Sequence, residues 1–334
     1  MKILYLSCHS ILEYDEVKLF TELGHDVFSH GSYANPAKPG DPKRPAVKAK
    51  FNQKLYDISL AHSKDDLHKD MIKWADVIIV MHKADWILKN LDKFGKKPVI
   101  WRSIGQSTID IEGILWPLRQ KGLGIVRYSN REQTIPGYCG SDAVIPFYKD
   151  PEEFKNWTGY NMRILTIGQS MRQRREFCNW DLFEKVTDGL PRLLVGPGND
   201  DVKTMDQRLV KYAELKKLLR ASRVYFYTGT YPASYTLNFI EAMMTGIPIV
   251  AVGPKYGNSP FQQGQNTYEI PEIIENGVNG FCSDDPGMLR VTIKELLADK
   301  NMANSWSQAG RKTAIEWFGK KKIAKQWEEF FNAL

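Results

Sequence analysis

Arg172, Gln173, Arg174 and Arg175 place three guanidinium side chains directly after an apolar run, Arg163 to Gly168, that reads as a buried strand. A basic loop at the carboxyl end of a parallel strand sits where open α/β sheets take ligands, so its chemistry is the binding of an anion. Farther along, Glu241 lies on a helix predicted to begin near Thr236. The first-turn amides of such a helix favour negative charge, phosphate above all. A lone helical Glu is ordinarily solvated, so the weight of Glu241 rests on its surroundings, EAMMTGIP.

The first half holds fewer chemical groups. His9 and Ser10 follow the opening apolar run, and Arg102, Ser103 and Gln106 follow the run KPVIW. Glu13, Asp15 and Glu16 could act as bases, but they read as a solvated helix start favoured by the dipole. The four cysteines (Cys8, Cys139, Cys178, Cys282) form no CxxC pair and no Cys/His ligand set, which fits a reduced, cytoplasmic protein without structural zinc. Asn199, Asp200 and Asp201 resemble a metal-binding triplet only superficially, and no metal site is expected.

Elements that would hold these groups alternate along the chain. Strands are predicted at Ile3–Leu6, Asp26–Phe28, Ala75–His82, Lys97–Ser103 and Gly124–Asn130, with a helix over Glu16–Leu23 closed by Gly24. Lys149–Asn161 is polar and carries Pro and Gly, as a linker would. The alternation then restarts at Arg163–Gly168, Arg192–Gly198, Arg223–Gly229 and Ile247–Gly253, and Gly168, Gly196, Gly198 and Gly229 suit a sharp turn or a close approach of backbone to a ligand. A length of 334 residues suits two such domains. Near the end Ile323, Trp327, Phe330, Phe331 and Leu334 fall on one helical face that must bury.

Composition narrows the function classes. With 43% apolar and 25% charged residues the chain is globular, and no apolar run reaches the roughly 18 residues of a membrane span. A net charge of +7 favours an anionic partner without naming it. Lys38, Lys43, Arg44, Lys48 and Lys50 crowd a proline-rich loop that is either simply soluble or steers an anionic partner such as a lipid phosphate or nucleic acid, with peripheral membrane contact as one form of this. The aromatics beside basic residues, Trp101 and Trp180, are too sparse for a nucleic-acid platform.

Four stretches resemble, in order and spacing, the retaining family-4 type of GT-B glycosyltransferases (glycosyl transferases group 1). They are AVIPFYKDPEEF (Ala143–Phe154), ILTIGQSMRQRR (Ile164–Arg175), YTLNFIEAMMTGIPIVA (Tyr235–Ala251) and EIIENGVNGF (Glu272–Phe281). The third is the most specific, matching GFGLxxLEAMAxGxPVVA. The resemblance implies an α/β, GT-B fold of two Rossmann-like domains facing a cleft. The acceptor domain would span 1–150, the donor domain 151–318, and a C-terminal helix, 319–334, would cross back onto the first.

It also implies roles. Arg174 falls on the family's diphosphate-binding Lys, and Glu241 on the Glu that accepts hydrogen bonds from the donor ribose; these two would be the catalytic residues. Gly168, Gln169, Arg172, Arg175, Ser234, Tyr235, Thr236 and Leu237 would line the donor, with Arg172 or Arg175 supplying the charge of the family Arg that Gln169 replaces. Ala233 stands where the family has another Glu, which leaves the sugar open. His9, Ser10, Arg102, Ser103 and Gln106 would face the acceptor. The implied donor is a UDP- or GDP-sugar, with no cofactor or metal. The implied acceptor is a glycan or lipid-linked sugar, with a modified DNA base as a minority option. Two other readings stay open: a nucleotide-sugar binding protein without turnover, and an epimerase or hydrolase on the same fold.

Overall fold

The computed structural model describes residues 1–40, 44–202, 210–258, 261 and 264–334. The chain divides into two compact units: Met1–Tyr148 with Lys321–Leu334, and Lys149–Lys320.

The first unit contains β1 (Lys2–Leu6), α1 (Ser10–Glu22), β2 (Asp26–His30), α2 (Gln53–Ala61), α3 (Lys69–Trp74), β3 (Val77–Met81), α4 (Ala84–Phe94), β4 (Val99–Arg102), α5 (Ile109–Arg119), β5 (Gly124–Arg127) and β6 (Ala143–Val144). Its strands form one parallel sheet in the order β2-β1-β3-β4-β5-β6. Continuous apolar runs such as Val77–Met81, buried at every residue, are what a sheet covered on both faces requires.

The second unit repeats the scheme with β7 (Asn161–Ile167), α6 (Trp180–Thr187), β8 (Arg192–Val195), α7 (Tyr212–Ala221), β9 (Ser222–Tyr227), α8 (Leu237–Thr245), β10 (Ile249–Val252), α9 (Pro254–Gly257), α10 (Ile270–Ile273), β11 (Phe281–Ser283), α11 (Pro286–Ala298) and α12 (Lys300–Phe318). Its sheet is parallel, in the order β11-β10-β9-β7-β8. The last helix, α13 (Lys320–Asn332), lies almost wholly in the first unit. There Trp327 meets the ring of Phe20 edge-on at 4.9 Å, and Ile323, Phe330 and Phe331 are buried beside it. Each side chain of this kind contributes about 1.5–3 kcal/mol by leaving water. Leu334 departs from the expected stripe: it lies past the helix end and is half exposed.

Two further expectations need correction. The polar segment read as a linker is packed onto the second unit, with Phe154 buried and the Trp157 indole donating to the Ser222 carbonyl at 2.8 Å. The acids after the first strand are not solvated either. α1 begins at Ser10, earlier than expected, and Glu13, Asp15 and Glu16 face inward.

Candidate active site

Each sheet reverses its strand order once, and parallel sheets bind ligands outside the carboxyl ends of the strands at that point. In the second unit the reversal lies between β7 and β9, and in the first between β1 and β3.

At the end of β7 the chain leaves through Gly168 into a turn held by bonds from Arg174 N to Ser170 O (2.8 Å) and from Cys178 N to Arg174 O (3.1 Å). The neighbouring loop after β8 is locked to it by Asn199, which is fully buried. Its Oδ1 accepts from Met171 N at 2.8 Å, and its Nδ2 donates to the carbonyls of Gly168 and Gly196 at 2.9 Å. This settles what Gly196 does: a Cβ there would stand 2.1 Å from the Gly168 carbonyl oxygen. Asn199 is therefore a loop clamp. Among the described residues no cluster of His, Cys, Asp or Glu is arranged to hold a metal.

The three arginines of the basic loop differ in what they hold. Arg175 grips Asp181 through two nitrogens and Arg172 reaches Asp201, both at the surface. Arg174 has no carboxylate partner among the described residues; its guanidinium bends back to the Gln169 carbonyl at 3.5 Å.

α8 presents its N-terminus to the same sheet edge. Asn238 in its first turn donates to the Ile167 carbonyl at 2.8 Å, tying the helix to the end of β7. No side chain caps the helix, because the Thr236 hydroxyl donates instead to the Asn238 side-chain oxygen. Glu241, further along α8, is buried and accepts from Lys149 Nζ at 2.6 Å. Of the other expected donor residues, Gln169 is exposed, while Thr236 and Leu237 are half-buried. Ser234 and Tyr235 are buried, with the Tyr235 ring against Phe318, so a ligand would meet their backbone only.

In the first unit the expected acceptor residues separate. Arg102 does not face a ligand. Its guanidinium is fully buried and donates to Glu16 at 2.9 Å and to the carbonyls of Arg127 and Ile145 at 3.1 and 2.7 Å. Those partners lie far away in sequence, so from the sequence alone Arg102 reads as facing an acceptor. Ser103 is likewise buried, donating to Glu132 at 2.6 Å; burial raises the Glu132 pKa despite that bond. Gln106 and His9 are exposed and Ser10 is half-buried, with the His9 ring accepting from Leu12 N as the cap of α1.

His82 was missed. It sits at the end of β3, at the first unit's reversal point, with a left-handed backbone (φ 59°). Its buried Nδ1 meets no hydrogen-bond partner among the described residues, and desolvation lowers its pKa to about 4. Non-glycine residues held in that conformation cluster at functional sites. The visible signal was a His closing a buried strand.

Residues 207–313 match the glycosyl transferases group 1 family. No curated protein matches the chain. The structure is similar to that of Anabaena HepE in complex with UDP-glucose, with a TM-score of 0.70 at 15% identity over 100% of both chains. A glycosyltransferase from Rickettsia africae superposes as well, with a TM-score of 0.70 at 15% identity, covering 99% of this chain and 98% of the other. The chain has the GT-B fold. An alpha-glucosyltransferase in complex with UDP shares this GT-B fold, with a TM-score of 0.61 at 13% identity over 99% of this chain and 98% of its own. Within the GT-B fold the family match begins after β8 and ends in α12, so it includes α8 and Glu241.

Proposed function

We propose that the protein transfers a sugar from a nucleotide diphosphate sugar to an acceptor hydroxyl with retention of anomeric configuration. The observation that carries this reading is that two anion-favouring groups belong to the end of β7: Arg174, in the loop that leaves it and without a carboxylate partner among the described residues, and the N-terminus of α8, tied to it by Asn238 and capped by no side chain. Guanidinium and helix amides fixed at one edge stabilise a departing diphosphate without reorganising. Glu241, oriented by Lys149, is the proposed ribose acceptor. UDP is the favoured nucleotide because HepE and the alpha-glucosyltransferase are complexed with UDP or UDP-glucose.

In the proposed step the acceptor oxygen bonds to the anomeric carbon on the face that the phosphate leaves. The anomeric C–O bond to phosphate breaks, and the hydroxyl proton passes to the departing phosphate oxygen. His9, Ser10, Gln106 and His82 are the proposed acceptor-side residues of the first unit; the acceptor is a glycan, a lipid-linked sugar or a DNA base. Cytoplasmic placement and independence of metal belong to the same proposal.

A second reading, donor binding without turnover, is favoured by Ala233 at the position of a family carboxylate. Thermal shifts with UDP, GDP, ADP and CMP and their sugars test donor binding, since a ligand at 100 times its Kd adds about 2.7 kcal/mol. Release of nucleoside diphosphate only when an acceptor is present supports transfer. Binding without release supports the second reading, and no shift with any nucleotide overturns both.

A further inference from the structure

The first unit carries an open crevice of about 660 Å³ beyond the carboxyl ends of β1 and β2, within the range of small-molecule sites. Its floor is the start of α1 and the β2 end, and Tyr56 and Leu60 of α2 give it an apolar side. Lys64 and Lys38 stand on its wall.

Lys64 is not a casual surface cation. Its backbone is clamped by the buried Asn90, which donates to the Lys64 carbonyl at 3.0 Å and accepts from Leu67 N at 2.8 Å. Its ammonium donates to the Ser7 carbonyl and lies 4.8 Å from the Trp86 ring. Burial lowers its pKa, so its charge is partly desolvated. Neither Lys64 nor Lys38 is ion-paired among the described residues. Glu13, on the same wall, supports the Lys64 charge from a distance but is itself bonded by Ser29 Oγ (2.6 Å), Tyr33 N (2.8 Å) and Ser32 N (3.0 Å). A positioned, desolvated cation without an anion in contact selects an anionic ligand, because the ligand restores what desolvation removed.

We infer that this crevice binds a phosphate group, with Lys64 as the principal contact and Lys38 as the second. Calling the bound molecule the sugar acceptor rests on the donor reading of the second unit; the phosphate site itself does not. The phosphate has two sources, a soluble sugar phosphate or a lipid headgroup, and the probes separate them.

Full-length protein is titrated with glucose and glucose 6-phosphate by calorimetry, and sedimented with phosphatidylcholine vesicles with and without phosphatidic acid. Wild type is expected to prefer the phosphorylated member of one pair by about tenfold or more, the scale of one charged hydrogen bond. Lys64→Met should abolish that preference while leaving UDP binding unchanged. Preference for glucose 6-phosphate assigns a soluble ligand, and preference for the phosphatidic acid vesicles assigns a lipid. Equal affinity within both pairs in the wild type overturns the proposal without reference to any variant, as does a preference that survives in Lys64→Met. Phosphate binding through Lys64 in a protein that ignores every nucleotide would keep this site and sink the donor reading instead.

Discussion

Lys149 and Glu241, 92 residues apart, form a buried ion pair with 2.6 Å between Nζ and Oε1. Lys149 is the first residue of the second unit, in a segment whose sequence reads as a linker, and its ammonium also lies 5.7 Å from the Phe154 ring. The carboxylate proposed to meet the nucleotide is thus oriented by a residue that sequence reasoning left without a role.

Removing one partner strands a buried charge, which costs about 3–5 kcal/mol. Lys149→Met is therefore expected to lower the stability of the second unit by that amount in urea denaturation. The double variant Lys149→Met/Glu241→Leu should recover most of the loss. Strictly additive losses would mean that the two side chains do not depend on each other.

Arg174→Ala should slow turnover more than 100-fold, corresponding to about 3 kcal/mol of leaving-group stabilisation. Arg175→Ala should change it little, because Arg175 is engaged with Asp181 at the surface. Steady-state rates on the two variants decide this, and equal effects would remove the distinction drawn from their partners.

Gly196→Ala places a methyl 2.1 Å from a backbone oxygen at φ 143°, so the clamped loops must separate. We expect a loss above about 2 kcal/mol together with loss of nucleotide binding. Gly24→Ala, with φ 84° but open space around its Cβ, should cost only about 1 kcal/mol and leave binding intact. Melting curves with and without UDP compare the pair.

His82 makes stability fall in acid. Its folded pKa, about 4, lies below the ordinary 6.5, so between these values the unfolded chain binds the proton and the folded one does not. The stabilisation is whole above pH 6.5 and declines toward pH 4, by on the order of 3 kcal/mol. His25 and His30, also lowered by burial, act in the same direction. Replacing His82 with Asn, which tolerates its backbone, should flatten the profile of denaturation midpoint against pH; an unchanged slope would assign it to other groups.

Most strands of both sheets were legible because a parallel strand buried on two faces leaves an apolar run with glycine or a polar turn at its end; the short edge strands β6 and β11 leave no such run and were not read. Val77–Met81 lies inside a run read as a strand, Ser222–Tyr227 begins one residue before the run Arg223–Gly229, and the start of α8 follows Thr236 as read. Pairings across the fold were not legible. Arg102 and Ser103 read as acceptor-facing and Glu16 as a solvated helix-start acid, yet their partners are supplied by other strands and helices. Of the basic loop in the first half, Arg44 is buried, Lys48 and Lys50 are exposed, and Lys43 lies outside the described residues. His82 escaped because nothing in an apolar strand announces a left-handed terminal residue.

The missing side-chain cap on α8 has a consequence for how the protein works as well as for what it binds. A side-chain cap is worth about 1 kcal/mol to a helix, and here the one hydroxyl in position is turned to Asn238. The first turn of α8 is then the part of that helix most ready to fray, and an anion docked on its amides would finish the secondary structure as well as occupy the site. Ligand affinity and local unfolding become two readings of one equilibrium, so an apo protein held at high temperature should lose the proposed donor site before it loses its fold.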